Sequence, residues 1–437
     1  MILDRNLETP LYRQIYAHYK HAILSQSLKE NDKLDSIRNL TLKHRISKTT
    51  VEKAFNQLII EGFIQSQPKS GHYVLPVKVY TGSKHRVDDL PDSDPQYLNT
   101  KHPREAYEFE GFKKAVLQVL YYQSDQLYYP PIPMGEVAFK ETLMRFLNHE
   151  RGIIAHPSQC VISSGLQNHL TIIANLKSQR RVGYIKPLFP AAETAFKLLG
   201  FKPIACDTIE QLLENTLDFI YISPSNLYPS GEVVPINQRI ELIEYARKNK
   251  AYILEDDYNY IYRHNAYQIP SIQGLSQGKH VIYIGSFARQ TLPSIRMSYM
   301  VLPPNLTQRY HRTPQLSQTV SVLDQLTMKA LMDSGHYQKQ LKKLSAYSKK
   351  QNDSIRQLLE LFSHQKAIRF LGLDSNLHVI FEVDSTTLKE RLVTEFTRLN
   401  WTHNQLKEWP NRIILPYHGF SETSRNQLRL VLTNLTR

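Results

Sequence analysis

The 437-residue sequence has only two cysteines, Cys160 and Cys206. They offer neither a disulfide framework nor a zinc-ligand spacing. No apolar run approaches the ~18 residues of a membrane span. The first ten residues, MILDRNLETP, lack the apolar stretch of a signal peptide. Internal repeats and low-complexity tracts are absent too. The expected protein is therefore cytosolic, with no membrane partner and no metal.

What is present is a globular composition. Apolar residues make up 41% of the chain, which is long enough for two or three domains and a sizeable core. Net charge is +14, from 54 Lys and Arg against 40 Asp and Glu, and points to a polyanionic partner. The charge is uneven. Residues 1–78 carry 12 basic and 7 acidic side chains, so this segment is the better candidate for a nucleic-acid surface. The plainer alternative is a basic segment that serves only solubility.

Within 1–78, Pro10 opens a helical pattern with Leu11, Ile15, Tyr19, Ala22 and Ile23 near a 3.6-residue period. A second helix is expected from Ser36 to about His44. A third carries Val51, Ala54, Phe55, Leu58 and Ile59 on one face. Ser47 is one N-cap candidate for it, and Thr49 with Glu52 has the spacing of a capping box. After Gly62, Phe63–Ser66 and His72–Val74 flank a Pro68–Gly71 turn and read as a two-stranded wing. This is the pattern of a winged helix-turn-helix. Lys48, Thr49, Thr50, Lys53 and Asn56 face outward from the third helix, beginning at Ser47, toward base edges and phosphates. Ser36 and Arg38 at the second helix start would grip phosphate, and Lys69, Ser70 and His72 would reach from the wing tip. A generic three-helix bundle with a solvated polar face is the alternative.

Residues 79–105 contain Pro91, Pro95 and Pro103 with Asp88, Asp89, Asp92 and Asp94, and read as a linker. From 106 to 437 strand and helix patterns alternate. Strands are expected at Cys160–Ser163, Gly183–Lys186, Phe219–Ser223, Ala251–Leu254 and His280–Ile284, with helices at Leu166–Leu176, Ala191–Leu199 and Ile236–Lys248. That rhythm predicts an α/β domain with a mainly parallel sheet covered by helices. Ligands of such sheets bind outside the carboxyl ends of the strands. Those ends carry Ser164-Gly165, Phe189, Tyr228, Asp256 and Tyr258. The last of them leads into GSFARQTLPSIRMSY, Gly285–Tyr299, with Ser286 and two arginines, Arg289 and Arg296, seven residues apart. On a helix that spacing is about two turns, so both would face one site. The segment reads either as an anion pocket or as a surface turn with solvated arginines.

Residues 10–75 resemble the DNA-binding domain of GntR-family regulators through LYRQIYAHYKHAIL, KLDSIRNLTLKHRISKTTVEKAFNQLIIEGFI and KSGHYV. Asp35 departs from the family's proline, and Ser27 and Asn31 from its common glycines. The larger part resembles a fold-type I aminotransferase domain, and the whole chain resembles the MocR subfamily, which fuses the two. YYPPIPMGEVAFKETLMRFL is similar to that fold's substrate-side segment. ISSGLQNHL implies that the amides near Gly165 and Leu166 receive a phosphate, and KPLFP implies that Phe189 stacks on a pyridine ring. ISPSNLYPSG implies Tyr228 near the ring hydroxyl, with Leu227 replacing a common glutamine. ILEDDYNYIY implies Asp256 beneath the ring nitrogen and Tyr258 beside the ring oxygen. Ser286 and Arg296 would hold the phosphate, and Arg429, in QLRL, a substrate or effector carboxylate.

In that family the position of Arg289 is the lysine that carries pyridoxal phosphate. A guanidinium is no amine nucleophile, and Ala288 and Gln290 also depart from the usual neighbours. The resemblance therefore implies a DNA-binding transcription regulator without transaminase chemistry. Its large domain would sense pyridoxal phosphate bound non-covalently, a related vitamer or adduct, or an amino acid. Double-stranded operator DNA and a second copy of the chain, packed head to tail, are the implied partners. Lys186 on a neighbouring strand end is a weak substitute for the missing amine. The alternatives are an active pyridoxal-phosphate enzyme with a vestigial head, and a DNA-binding module whose large domain only dimerises.

Overall fold

The computed structural model describes residues 3–4, 9–68, 70–76, 104–262, 269–292, 294–312 and 320–435. The chain divides into two compact units, Met1–Ser93 and Asp94–Arg437. Lys69 lies outside the described residues, as does all of the expected linker except its last two residues. Those two, 104 and 105, begin a short 3-10 turn, Arg104–Ala106.

Two serine caps organise the first unit. Helix α1 (Leu11–Leu24) follows Pro10 and buries Ile15, Tyr19 and Ile23. Helix α2 (Ile37–His44) starts at Ser36, whose hydroxyl accepts from the Asn39 amide at 3.1 Å. Helix α3 (Lys48–Ile60) starts at Ser47, which accepts from the Thr50 amide at 3.1 Å. The Thr49–Glu52 capping box does not form. Thr49 is already inside the first turn, and Glu52 pairs with Lys48 at 3.1 Å instead. Strands β1 (Ile64–Gln67) and β2 (Gly71–Val74) make the antiparallel wing. Ile15, Tyr19, Val51, Phe55 and Leu58 share one core, which uses up the apolar face of α3.

The second unit opens on α4 (Phe109–Tyr122) and α5 (Val137–Arg151). There follow β3 (Cys160–Ser163), α6 (Leu166–Leu176), β4 (Arg181–Ile185), α7 (Pro190–Leu198), β5 (Lys202–Cys206) and α8 (Ile209–Glu214). Next come β6 (Phe219–Ile222), α9 (Ile236–Asn249), β7 (Tyr252–Asp256), α10 (Ile272–Leu275), β8 (Val281–Ser286) and β9 (Ser298–Val301). The chain continues through α11 (Pro304–Arg312), α12 (Val322–Asp333) and the long α13 (His336–Glu360). A smaller lobe closes it, with β10 (Ile368–Leu371), β11 (His378–Val383), α14 (Thr386–Arg398), β12 (Asn404–Gln405), β13 (Arg412–Pro416) and α15 (Glu422–Leu435).

Seven strands form one sheet in the order β3-β9-β8-β7-β6-β4-β5, in which only β9 runs against the rest. Both faces are covered, so the inner strands are largely apolar, while the edge strand β5 is half-exposed. Cys160, Ile162, Tyr283 and Tyr299 pack on one side, and Val161, Leu254, Ile282 and Met300 on the other. The smaller lobe carries the antiparallel sheet β10-β11-β13-β12. Two expectations need correction. Strand β7 runs on to Asp256, two residues past the expected end at Leu254. The segment between Ser286 and Ser298 is not a two-turn helix. These two serines are register partners on antiparallel β8 and β9, so the chain must double back within eleven residues. It does so through successive turns: the amides of Gln290 and Thr291 donate to the Phe287 carbonyl, and that of Ile295 to the Leu292 carbonyl.

A buried ion pair fixes the rim of the sheet. Arg151, the last residue of α5, donates from Nε to Asp257 Oδ2 at 2.7 Å and from Nη2 to Ser225 Oγ at 3.0 Å. Tyr283 donates to the same carboxylate oxygen at 2.8 Å. One guanidinium thus ties the loops after β6 and β7 to α5. Arg151→Met leaves Asp257 buried without its cation. The expected cost is about 3–5 kcal/mol, read as a lower denaturant midpoint of the full chain.

Candidate functional site

In the first unit Lys48, Thr49, Lys53 and Asn56 are exposed together on α3, and Ser36, Arg38 and Ser47 are exposed at the two helix starts. Thr50 is half-buried, with its hydroxyl 2.7 Å from that of Ser47. Lys53 lies 5.6 Å over the ring of Tyr12. The wing differs from expectation. Ser70 is exposed at its turn, its hydroxyl 2.6 Å from that of Tyr73. His72 is not at the tip. It sits within β2, half-buried, its ring edge-on to Phe55 at 4.9 Å, and burial lowers its pKa. His72 is thus a packing residue, a role that alternation along β2 permits and that the sequence pattern alone did not separate from a tip position.

In the second unit two cavities share a wall made by Phe189 and Tyr228. The first, of about 420 Å³, is lined by Lys186, Asp207, Tyr221, Tyr258, Trp409 and Arg412, among others. The second, of about 440 Å³, is lined by Tyr262, Arg289, Arg296, His378, Asn404 and His418, among others. Phe189, the residue before α7, meets Tyr228 edge-on at 5.5 Å and lies nearly parallel to Tyr258 at 6.4 Å. The Tyr228 hydroxyl is buried beside the Asn404 side chain, and among the described residues no group completes a hydrogen bond of good geometry with it. Burial pushes that phenol up to about 12 and raises Tyr258 as well.

Asp256 ends β7 buried beside Tyr221, whose hydroxyl donates to it. Burial dominates over that hydrogen bond and raises the carboxyl to about 6. Gly165 precedes α6 with φ 99°, a conformation that favours glycine. Its amide donates to Ser298 Oγ at 2.7 Å, and a Cβ at this position would lie 3.5 Å from the Arg296 guanidinium. An exposed arginine therefore stands over the start of an eleven-residue helix headed by Gly165 and Leu166. Ser286 ends β8 and accepts from the Ala288 amide at 3.2 Å. Arg289 is half-buried. Its backbone carbonyl accepts from Tyr262 at 2.7 Å, and its guanidinium lies 5.7 Å over the Tyr258 ring. Among the described residues no carboxylate comes within 4 Å of it.

The structure thus gathers Phe189, Tyr228, Arg289 and Arg296 around the second cavity, with Gly165 next to Arg296. Tyr258 lines the first cavity, and Asp256, Ser286 and Leu166 line neither. Arg429 is a correction. It is an exposed residue of α15 and lines neither cavity, because Leu428 and Leu432 turn the other face of that helix into the core. Lys186 pairs with Asp207 at 2.9 Å and lines only the first cavity, away from Arg289. Tyr221, Tyr262, His378 and His418 were not anticipated. Tyr221 had a signal, an outlying phenol on an apolar strand beside the acidic one. The histidines come from β11 and from the loop after β13, more than eighty residues beyond Arg289, and no local spacing announces them.

Residues 101–413 match the family described as Aminotransferase class I and II, and residues 11–74 match Bacterial regulatory proteins, gntR family. Over 403 residues the chain is 30% identical to the uncharacterized HTH-type transcriptional regulator YdeL of Bacillus subtilis (strain 168), covering 87% of this chain and 86% of that one. The chain belongs to the GntR regulators that carry an aminotransferase class I and II domain, the MocR subfamily. A second member of this family, named "Probable rhizopine catabolism regulatory protein MocR" of Rhizobium meliloti, is 25% identical over 378 residues, covering 79% of this chain and 76% of that one. The fold of the large unit is that of the Pyrococcus horikoshii kynurenine aminotransferase solved in complex with PMP. The TM-score is 0.66 at 18% identity, over 82% of this chain and 98% of that one.

This fold implies a pyridoxal-type group. The buried Asp256 carboxyl, the unmatched Tyr228 hydroxyl and the Arg296 guanidinium at Gly165 fit its ring and its phosphate. The Arg289 guanidinium on the wall of the second cavity forms no imine with an aldehyde. No helix among the described residues is long and apolar enough to cross a membrane.

Proposed function

We propose that this chain is a cytoplasmic transcription regulator that binds double-stranded DNA through α3 and the wing. Its large unit reads a small ligand and performs no transamination. The observation that supports the second half is Arg289, a guanidinium on the cavity wall, which the family resemblance would put where the reactive lysine is kept. A pyridoxal-type group supplies an electron sink when it is bound, and transamination on it needs an amine that also moves protons. Arg289 offers neither function. Arg296 and the amides at Gly165 and Leu166 would hold a phosphate, with Ser286 beside them. Phe189 would cover a ring, Asp256 would accept from its nitrogen, and Tyr228 and Tyr258 would meet its oxygen. The chain is proposed to act as a homodimer, packed head to tail, whose symmetry sets the spacing of operator half-sites.

Selection of duplexes from a random pool by the purified chain tests the DNA half. Enrichment of paired half-sites is expected, and no enrichment overturns the proposal. Amino-group exchange between an amino acid and an oxo acid, catalysed by the same preparation, overturns the other half.

Asp256 adds a pH prediction. Its folded pKa of about 6 lies above the ~3.9 of a free aspartate, so the folded chain holds this proton where the unfolded chain has lost it. Its contribution to stability is therefore present below about pH 4 and is lost as pH rises through about 6. Ligand binding runs the other way. A protonated pyridine nitrogen needs the ionised carboxylate, so affinity for pyridoxal phosphate should fall below about pH 6. Equilibrium dialysis across pH 5–8 checks this, and Asp256→Asn should bind weakly throughout and lose the step.

A further inference from the structure

The second cavity carries two guanidiniums, Arg289 and Arg296, and no Asp or Glu among the described residues that line it. His378 adds no charge. Its Nε2 donates to the Pro229 carbonyl, and burial lowers its pKa to about 4. Asp256, the acid that the fold brings nearby, lies outside the lining and already accepts from Tyr221. Apart from the His418 imidazole, the rest of the described wall is aromatic, aliphatic or neutral polar, and the buried Tyr228 O–H finds no acceptor among the described residues.

A half-buried guanidinium without a carboxylate partner favours an anion, because a cation taken out of water is costly until it is matched. The same wall disfavours an ammonium. Two fixed positive charges would repel it, and no carboxylate of the lining would receive it. An amine at position 289 would bind an amino acid only by way of a covalent partner. A guanidinium at that position binds the carboxylate directly and makes the amino group a liability.

We infer that the second cavity takes a small dianionic ligand without an ammonium group, a 2-oxo dicarboxylate or a phosphorylated carboxylate. One anionic group is held by Arg289 and the other by Arg296, and a central oxo or hydroxyl oxygen faces the Tyr228 hydroxyl. The amino acid of the same skeleton is excluded. This inference rests on the cavity being the ligand site proposed above, and it names the class of ligand read there; because the dianion takes Arg296 and Tyr228, it and pyridoxal phosphate exclude one another.

Titration calorimetry on the full chain tests it, with 2-oxoglutarate, glutarate and glutamate as probes of one carbon skeleton and 3-phosphoglycerate as the phosphorylated carboxylate. Inorganic phosphate serves as competitor. At least one of the two dianion classes should bind at least about tenfold more tightly than glutamate. Arg289→Gln should lower its affinity by at least about tenfold, with the far-ultraviolet spectrum and the thermal midpoint unchanged. Phosphate should displace 3-phosphoglycerate more readily than 2-oxoglutarate if the cavity is built for the phosphorylated class, and should not discriminate if it is built for oxo acids. Equal or tighter binding of glutamate overturns the inference. So does an unchanged affinity in Arg289→Gln, or the failure of all four probes to bind at millimolar concentration. DNA binding is measured in parallel. A dianion that binds with this preference and leaves DNA affinity unchanged would overturn ligand control and leave the cavity assignment standing.

Discussion

Arg289→Lys is expected to let the chain carry pyridoxal phosphate covalently. After borohydride treatment the variant should gain the mass of one phosphopyridoxyl group per chain, and the wild-type chain should gain none. The contrast is chemical before it is structural. A lysine amine has a neutral form that attacks an aldehyde carbon, whereas a guanidinium stays protonated and delocalises the lone pair that attack requires. The backbone at this position is held independently of the side chain, because Tyr262 donates to the Arg289 carbonyl at 2.7 Å and the next residue, Gln290, is fully buried with Tyr337 donating to it. A lysine would therefore leave the same point of the same turn and enter the same cavity. Intact-mass measurement after reduction reads the outcome. Covalent retention by the wild-type chain would show that one of its own amines forms the linkage, and Lys186 would then be the first to test. No retention by Arg289→Lys would show that the ring-side residues no longer hold the group, and pyridoxal phosphate would leave the set of candidate ligands. The dianion inference predicts a second consequence, because a lysine at 289 lacks the planar fork that takes a carboxylate with two parallel hydrogen bonds.

How far the sequence could be read depends on whether each feature is local. Ser36 and Ser47 sit directly before apolar-periodic runs, and both prove to be caps because a cap is a contact between residues three apart. Strands β3, β4, β6, β7 and β8 were legible because burial on both faces leaves apolar runs, whereas β5, a half-exposed edge strand that begins at Lys202, carries no such run and was missed. Strand β9 was not, since it follows a Pro- and Arg-containing loop and is defined by pairing with β8 and β3. The spacing of Arg289 and Arg296 suggested one shared site, and they do share a cavity, but by way of a turn and a reversal of the chain and not by helical geometry. Arg429 shows the opposite failure. An arginine between leucines fits a short motif, yet the choice of helix face belongs to the packing of Leu428 and Leu432. The small-lobe wall of the cavity, with His378 and His418, is assembled from β11, β13 and the loop after β13 and is invisible at any local spacing.

The DNA surface yields the other large effect. Lys48→Ala with Lys53→Ala should weaken operator binding by more than about tenfold at ~0.1 M salt and reduce the slope of log affinity against log salt by about two. Each lysine that neutralises one phosphate releases about one counterion, so the slope counts the contacts that are lost. Folding should be nearly unaffected. Lys48 is exposed and pairs only with Glu52, one turn along the same helix, and such exposed pairs contribute little. Lys53 is exposed too, and what it loses within the unit is its approach to the Tyr12 ring. The core beneath them, Val51, Phe55 and Leu58, is untouched. Asn56→Ala separates positioning from reading on the same face. It removes no charge, so the salt slope should stay at the wild-type value while the preference among selected duplexes relaxes. Fluorescence anisotropy across a salt series measures both quantities. A double-lysine variant that keeps the wild-type slope would mean that α3 does not lie along the phosphates. The basic surplus of residues 1–78 would then have to act through Arg38 and the wing, and Arg38→Ala would carry the salt effect that the lysines did not.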